Sequence, residues 1–194
     1  TALIFRGEFN NDASKVVTAS NDKTAKVWDA NSGKLLFDFK GHRDYVVHAQ
    51  FSPDGQKIIT VSIDSSVKVW NVLNGKKIFD TKSYSNTFNN VEFSADGRRL
   101  LVVTSNHSAE ISDVSTGEKV VNFVDESPIY FAKFNNEGTK IITLSANKMA
   151  KIWDAESGLL LFDLRDTIDI SSARFSQDDQ KVITVLVNGN IKMW

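Results

Sequence analysis

Five carboxylates stand at near-regular intervals along the chain: Asp12, Asp54, Asp96, Glu137 and Asp178. Two carboxylates facing each other across a cleft can serve as acid and base in hydrolysis, so a repeated set raises that chemistry first. Each of the five, however, sits in a short polar phrase: FNNDA (9–13), FSPDG (51–55), FSADG (93–97), FNNEG (134–138) and FSQDD (175–179). Asp followed by Gly, with or without Pro, supplies the backbone angles of a tight reversal, so turn chemistry accounts for these residues. Three histidines, His42, His48 and His107, fall in separate stretches with no second His or Cys at ligand spacing. That pattern argues against a metal centre or a His base. Asp22 and Asp64 lack the dense oxygen-ligand loop of a calcium site. Asn188-Gly189 is a hairpin-turn signal. There is no G-x-S-x-G, no Gly-rich phosphate loop and no zinc spacing. The expectation is a protein with no catalytic residue, no cofactor and no metal.

The bulk composition narrows the classes further. The 194 residues are 41% apolar and 24% charged, as in an ordinary globular domain. A net charge of −1 gives no global field toward nucleic acid or anionic lipid, so neither is expected as a partner. Cysteine is absent, which excludes disulfides and thiol chemistry and fits a reducing compartment; a cytoplasmic location is expected. No apolar run approaches the roughly 18–20 residues of a membrane span. The first residues, TALIFRGEFN, lack the features of a secretory signal.

The elements that carry the turns repeat. Trp28, Trp70, Ser112, Trp153 and Trp194 occupy one slot at spacings of 42, 42, 41 and 41. Between the turn phrases and these slots lie KVVTAS (15–20), KIITVS (57–62), RLLVVT (99–104), KIITLS (140–145) and KVITVL (181–186). Three phrases in one order, five times over, define five units. The second unit reads as four strands: YVVHAQF (45–51), KIITVS, VKVWN (67–71) and KKIFDTK (76–82), with turns between them. β-branched residues dominate, and no stretch keeps a 3.6-residue apolar period, so almost no helix is predicted. Strands such as KVITVLV are apolar at successive positions, which requires cover on both faces of a sheet. Four-stranded meanders covered on both faces by their own kind predict an all-β β-propeller of about four and three-quarter blades. The expected blades are 1–41, 42–83, 84–124, 125–165 and an incomplete 166–194.

This chain resembles the WD40 repeat family. The resemblance rests on Gly41-His42, FSPDG at 51–55, Ser62, Asp64, KVW at 68–70, and the Trp-Asp pairs 28–29 and 153–154. It implies a propeller, commonly seven-bladed, whose usual role is to hold other proteins. It also implies a structural tetrad of His42, Ser62, Asp64 and Trp70 in the second unit. The first unit keeps Ser20, Asp22 and Trp28. The third has Ser83-Tyr84, Thr104, Asn106 and Ser112 in the slots, the fourth Asp125-Glu126, Ser145, Asn147 and Trp153, and the fifth Leu186, Asn188 and Trp194. The fifth unit has three strands and none to spare at the other end, so further blades, or another copy in an oligomer, are expected to complete the ring.

By the same resemblance, one end of each unit forms a binding face. Its positions here are Leu3, Phe5 and Asn21; Tyr45, Val47 and Ile63; Thr87, Asn89 and Ser105; Pro128, Tyr130 and Ala146; and Asp169, Ser171 and Val187. Phe5, Tyr45, Val47, Ile63, Asn89, Tyr130 and Ser171 are the candidate partner-binding residues, since exposed aromatics are enriched in binding hot spots. The expected function is a non-catalytic scaffold for a protein or peptide. The alternatives are a propeller enzyme with a site in the central funnel, for which Asp169 is the one available carboxylate, and the sensor half of a larger regulatory protein.

Overall fold

The computed structural model describes residues 2–81, 88–104 and 108–194, apart from the side chain of Asn89. Ser83, Tyr84, Thr87, Ser105, Asn106 and His107, named above, lie outside the described residues. Among the described residues there are nineteen strands and no helix. They form five antiparallel sheets of four, four, four, four and three strands. The protein is all-β, and its sheets are consistent with the blades of a partial β-propeller.

The first sheet is β1 (Ile4–Phe9), β2 (Lys15–Ser20), β3 (Thr24–Asp29) and β4 (Leu35–Lys40). The second is β5 (Val46–Phe51), β6 (Lys57–Ser62), β7 (Val67–Asn71) and β8 (Lys77–Asp80). The third is β9 (Phe88–Phe93), β10 (Arg99–Thr104), β11 (Ser108–Asp113) and β12 (Lys119–Val124). The fourth is β13 (Ile129–Phe134), β14 (Lys140–Ser145), β15 (Ala150–Asp154) and β16 (Leu160–Leu164). The fifth is β17 (Ile170–Phe175), β18 (Val182–Leu186) and β19 (Ile191–Met193). Strand order follows chain order in every sheet. The first two sheets fall in one compact unit and the last three in another.

Turn chemistry builds the first hairpin of each sheet. In the second, Gly55 takes φ +67° and its N–H donates to the Ser52 carbonyl at 2.8 Å. The Asp54 carboxylate accepts from the Gln56 N–H at 3.0 Å and the Ser52 hydroxyl at 2.5 Å. Asp96 and Asp178 repeat this with Ser94 and Arg98, and with Ser176 and Gln180. Ala13 and Asp179 stand where Gly55 and Gly97 stand, and both adopt the same left-handed angle. Asp179 gains from it: its carboxylate accepts from the backbone N–H groups of Asn136 and Glu137, tying two turns together.

Packing within each unit follows the doubly apolar strands. In the first unit, Val17, Val27 and Phe39 of one sheet meet Val46, Ile58 and Trp70 of the next, with the Phe39 and Trp70 rings 5.3 Å apart. In the second unit the fourth sheet is buried on both faces. Ile141 and Trp153 pack against Leu101, Ile111 and Phe123 of the third sheet. Their chain neighbours Ile142 and Ile152 pack against Ile170 and Val182 of the fifth. Side chains alternate across a strand, so a run such as IIT feeds two cores at once.

Candidate functional site

The first hairpin of every sheet carries one β-bulge at the same place. Ile4 pairs with Ser20 and Arg6 with Ala19, so Phe5 is skipped. The same shift skips Val47, Asn89, Tyr130 and Ser171. Five of the seven sequence-predicted partner-binding residues are therefore the unpaired residues of bulges. A bulge releases a residue from the ladder and re-aims its side chain, which is why bulges concentrate beside functional sites. The Asn89 side chain lies outside the described residues.

In the first unit, Phe5 and Tyr45 come together with ring centroids 6.1 Å apart and tilted by 41°. Phe5 is 44% and Tyr45 42% exposed. Ile63 lies beside Tyr45, its N–H donating to the Tyr45 carbonyl at 3.0 Å, and is 55% exposed. Val47 and Leu3 are exposed as well. The loop that aims Tyr45 is fixed from below: the Ser62 hydroxyl donates to the Asp44 carbonyl, and the Asp64 carboxylate accepts from the Arg43 N–H at 2.7 Å. In the second unit, Tyr130 and Ser171 line one cavity. The Ser171 hydroxyl donates to the Val185 carbonyl at 2.9 Å.

Beneath Tyr45 runs a buried hydrogen-bond chain, and here the structure corrects the sequence-based assignment. The Trp70 indole N–H donates to Thr60 Oγ1 at 2.9 Å, not to Ser62. Thr60 Oγ1 lies 2.8 Å from His42 Nε2, and His42 Nδ1 lies 3.1 Å from Asp64 Oδ2. The Asp64 carboxylate can only accept, so the neutral ring donates to it from Nδ1; Nε2 then accepts the Thr60 proton, and the Thr60 oxygen accepts from the indole. Burial lowers the His42 pKa and outweighs the opposing pull of Asp64. Burial also works against the Asp64 anion, yet donation from Ser66, the Arg43 N–H and His42 holds it at about 2. Ser62 belongs to the loop instead, since its hydroxyl bonds Asp44 and accepts from the Asp64 N–H. Side-chain alternation explains the exchange: Thr60 and Ile58 share a strand face with Ser62, and Thr60 is the one level with the indole.

The Trp–Thr bond is the part that recurs. Trp28 donates to Thr18, Trp153 to Thr143 and Trp194 to Thr184, at 2.9, 2.9 and 3.0 Å. In the third sheet both partners change together: Ser112 replaces the Trp and buried Val102 the Thr. The fourth sheet fills the His position with an ion pair. Lys151 Nζ donates to Asp125 Oδ1 at 2.7 Å and the Ser145 hydroxyl to Oδ2 at 2.9 Å, with the Asp125 side chain fully buried.

The Asp169 carboxylate is paired with Lys148 at 2.5 Å. Among the described residues no three His, Cys, Asp or Glu side chains stand close enough to hold a metal ion. His48 is shielded, its Nε2 has no hydrogen-bond partner among the described residues, and burial, aided by nearby Arg6, lowers its pKa to about 4.

The first two of these sheets match a known class. The family model "WD domain, G-beta repeat" matches residues 2–29 and 33–71. Residues 2–71 thus carry WD40 repeats, and the later sheets repeat the same four-stranded antiparallel unit, consistent with WD40 blades. WD40 repeats are generally protein-interaction scaffolds and typically non-enzymatic. No curated protein matches the chain.

Proposed function

We propose that this chain is a non-catalytic binding module that holds a protein or peptide partner on the side chains its first-strand bulges turn outward. The observation that carries the reading is the exposed Phe5–Tyr45 pair. Two aromatic rings half in water, bordered by Ile63 and Val47, cost apolar exposure with no return inside the unit. They sit on a rigid base, because the bulge at Phe5 and the Asp64-anchored loop before Tyr45 fix both backbones. A preformed aromatic anchor spends little ordering entropy on binding, which is what a hot spot requires.

The test is capture of partners from cell extract on the immobilised chain and on the Phe5→Ala, Tyr45→Ala double variant. Both substitutions remove exposed rings, so the variant keeps its circular dichroism and melting profile. The proposal expects the captured proteins to fall by tenfold or more, about 1.4 kcal/mol. An unchanged set in unchanged yield refutes it.

A further inference from the structure

Equivalent positions on the first strands carry different side-chain pairs. By register, Arg6 and Glu8 on β1 correspond to Asn90 and Glu92 on β9 and to Phe131 and Lys133 on β13. Arg6 and Glu8 pair with each other at 3.8 Å. Asn90 and Glu92 reach across to the free edge of β13. The Asn90 amide donates to the Ala132 carbonyl at 2.8 Å, and Glu92 Oε1 accepts from the Phe134 N–H at 2.9 Å. Two side chains thereby imitate a neighbouring strand and close that edge.

One sheet further on, the same closure cannot form. Ala173 and Phe175 of β17 hold the places of Ala132 and Phe134, so the Ala173 carbonyl and Phe175 N–H point from its free edge. The side chains facing them come from Phe131, which has no polar atom, and Lys133, which cannot accept a hydrogen bond. In place of a closure there is a cavity of 570 Å³ whose walls include Tyr130, Phe131, Lys133, Ala173, Arg174 and Phe175. That volume is within the range of about 300–1,000 Å³ typical of ligand sites. Lys133 and Arg174 are both exposed, and neither has an ion-pair partner among the described residues. Glu92 lines the same cavity, its Oε1 accepts from the Phe134 N–H, and its charge acts on Lys133, so the lining sets two cations against one carboxylate.

From this juxtaposition we infer that the cavity takes an extended, acidic peptide segment, which pairs with the β17 edge at Ala173 and Phe175 and places a carboxylate between Lys133 and Arg174. A free strand edge recognises backbone and leaves side chains to set specificity. Two cations against the single carboxylate of Glu92 leave a net positive lining that favours an acidic side chain, and Tyr130 and Phe131 supply apolar wall for its neighbour. The inference rests on the binding-module reading and names the chemistry of a partner segment for the second unit.

The test uses three fluorescein-labelled octapeptides, of alternating Thr and Glu, Thr and Gln, and Thr and Lys, in fluorescence polarisation at about 0.15 M salt. The Thr–Glu peptide is expected to bind roughly tenfold or more tighter than the other two. Lys133→Ala with Arg174→Ala abolishes that preference, N-methylation of the peptide's central amides weakens binding by a similar factor, and Phe5→Ala with Tyr45→Ala leaves it intact. The inference fails if no peptide binds, if Glu has no advantage over Gln, or if the Lys133 and Arg174 variant binds as well as the parent. Such a failure beside a loss of captured partners in the Phe5 and Tyr45 variant leaves the binding-module reading standing. The reverse pair of results keeps the acidic-peptide site and removes the aromatic anchor.

Discussion

Replacing Thr60 by Val removes one oxygen and strands two buried groups, the Trp70 N–H and His42 Nε2. The expected loss is about 1–3 kcal/mol, read as a shift of the urea midpoint. Thr184→Val leaves the N–H of the 36%-exposed Trp194 to water and should cost under about 1 kcal/mol. Equal losses at the two positions would contradict the buried-chain account. This partner is legible in the sequence. Thr stands fourth in KVVTAS, KIITVS, KIITLS and KVITVL, and only RLLVVT, whose unit also lacks the Trp, has Val at that place. Ser62 lies two residues along on the same face, and residue type alone does not say which of the two hydroxyls is level with the indole. His48 gives a pH prediction at the same scale. Its folded pKa of about 4 lies below the 6.5 of an ordinary imidazole. A depressed value stabilises the fold above pH 6.5, and the contribution is lost as pH falls through 4. His48→Leu should therefore reduce the loss of stability across that window by about 1–3 kcal/mol, measured by urea unfolding at each pH. A window as steep as in the parent rejects the assignment.

Strands and turns are legible in the sequence because each is set by local chemistry: β-branched runs for the strands, Asp-Gly and its variants for the first reversals. Gly55→Ala tests the turn. Its φ of +67° is costly for Ala, while a Cβ there meets Asn10 Nδ2 at an ordinary 3.8 Å, so strain alone should cost about 1–2 kcal/mol. The contacts that residue types do not reveal are those between sheets, 42–43 residues apart. Examples are Asn90 on the Ala132 carbonyl and Asp179 on the Asn136 and Glu137 N–H groups. The Lys151–Asp125 pair was hidden for the same reason, as its partners are 26 residues apart. Asp125→Ala leaves a Lys ammonium buried and alone, and should destabilise the chain by about 3–5 kcal/mol. Asp125→Leu with Lys151→Met should recover most of it, because a buried ion pair and a packed apolar pair are close in energy. A double variant as unstable as the single one would show that the pair does more than satisfy itself.

At the scale of the whole molecule, repetition and difference have separate consequences. The Trp–Thr bond, the carboxylate turns and the doubly apolar strands are copied from sheet to sheet and make each sheet fit its neighbour within a unit. The bulge position is copied too, but its occupant changes: Phe5, Val47, Asn89, Tyr130, Ser171. A constant backbone with variable side chains is how a repeat protein presents a surface. The central claim is that a partner sits on the Phe5–Tyr45 side of the first unit. Photocrosslinking tests it most directly, with a benzophenone amino acid in place of Tyr45 or, as a control, of Leu73, which is exposed in the turn between β7 and β8. The account predicts a crosslinked partner from position 45 and none from position 73. A partner trapped from position 73 and not from position 45 would contradict it.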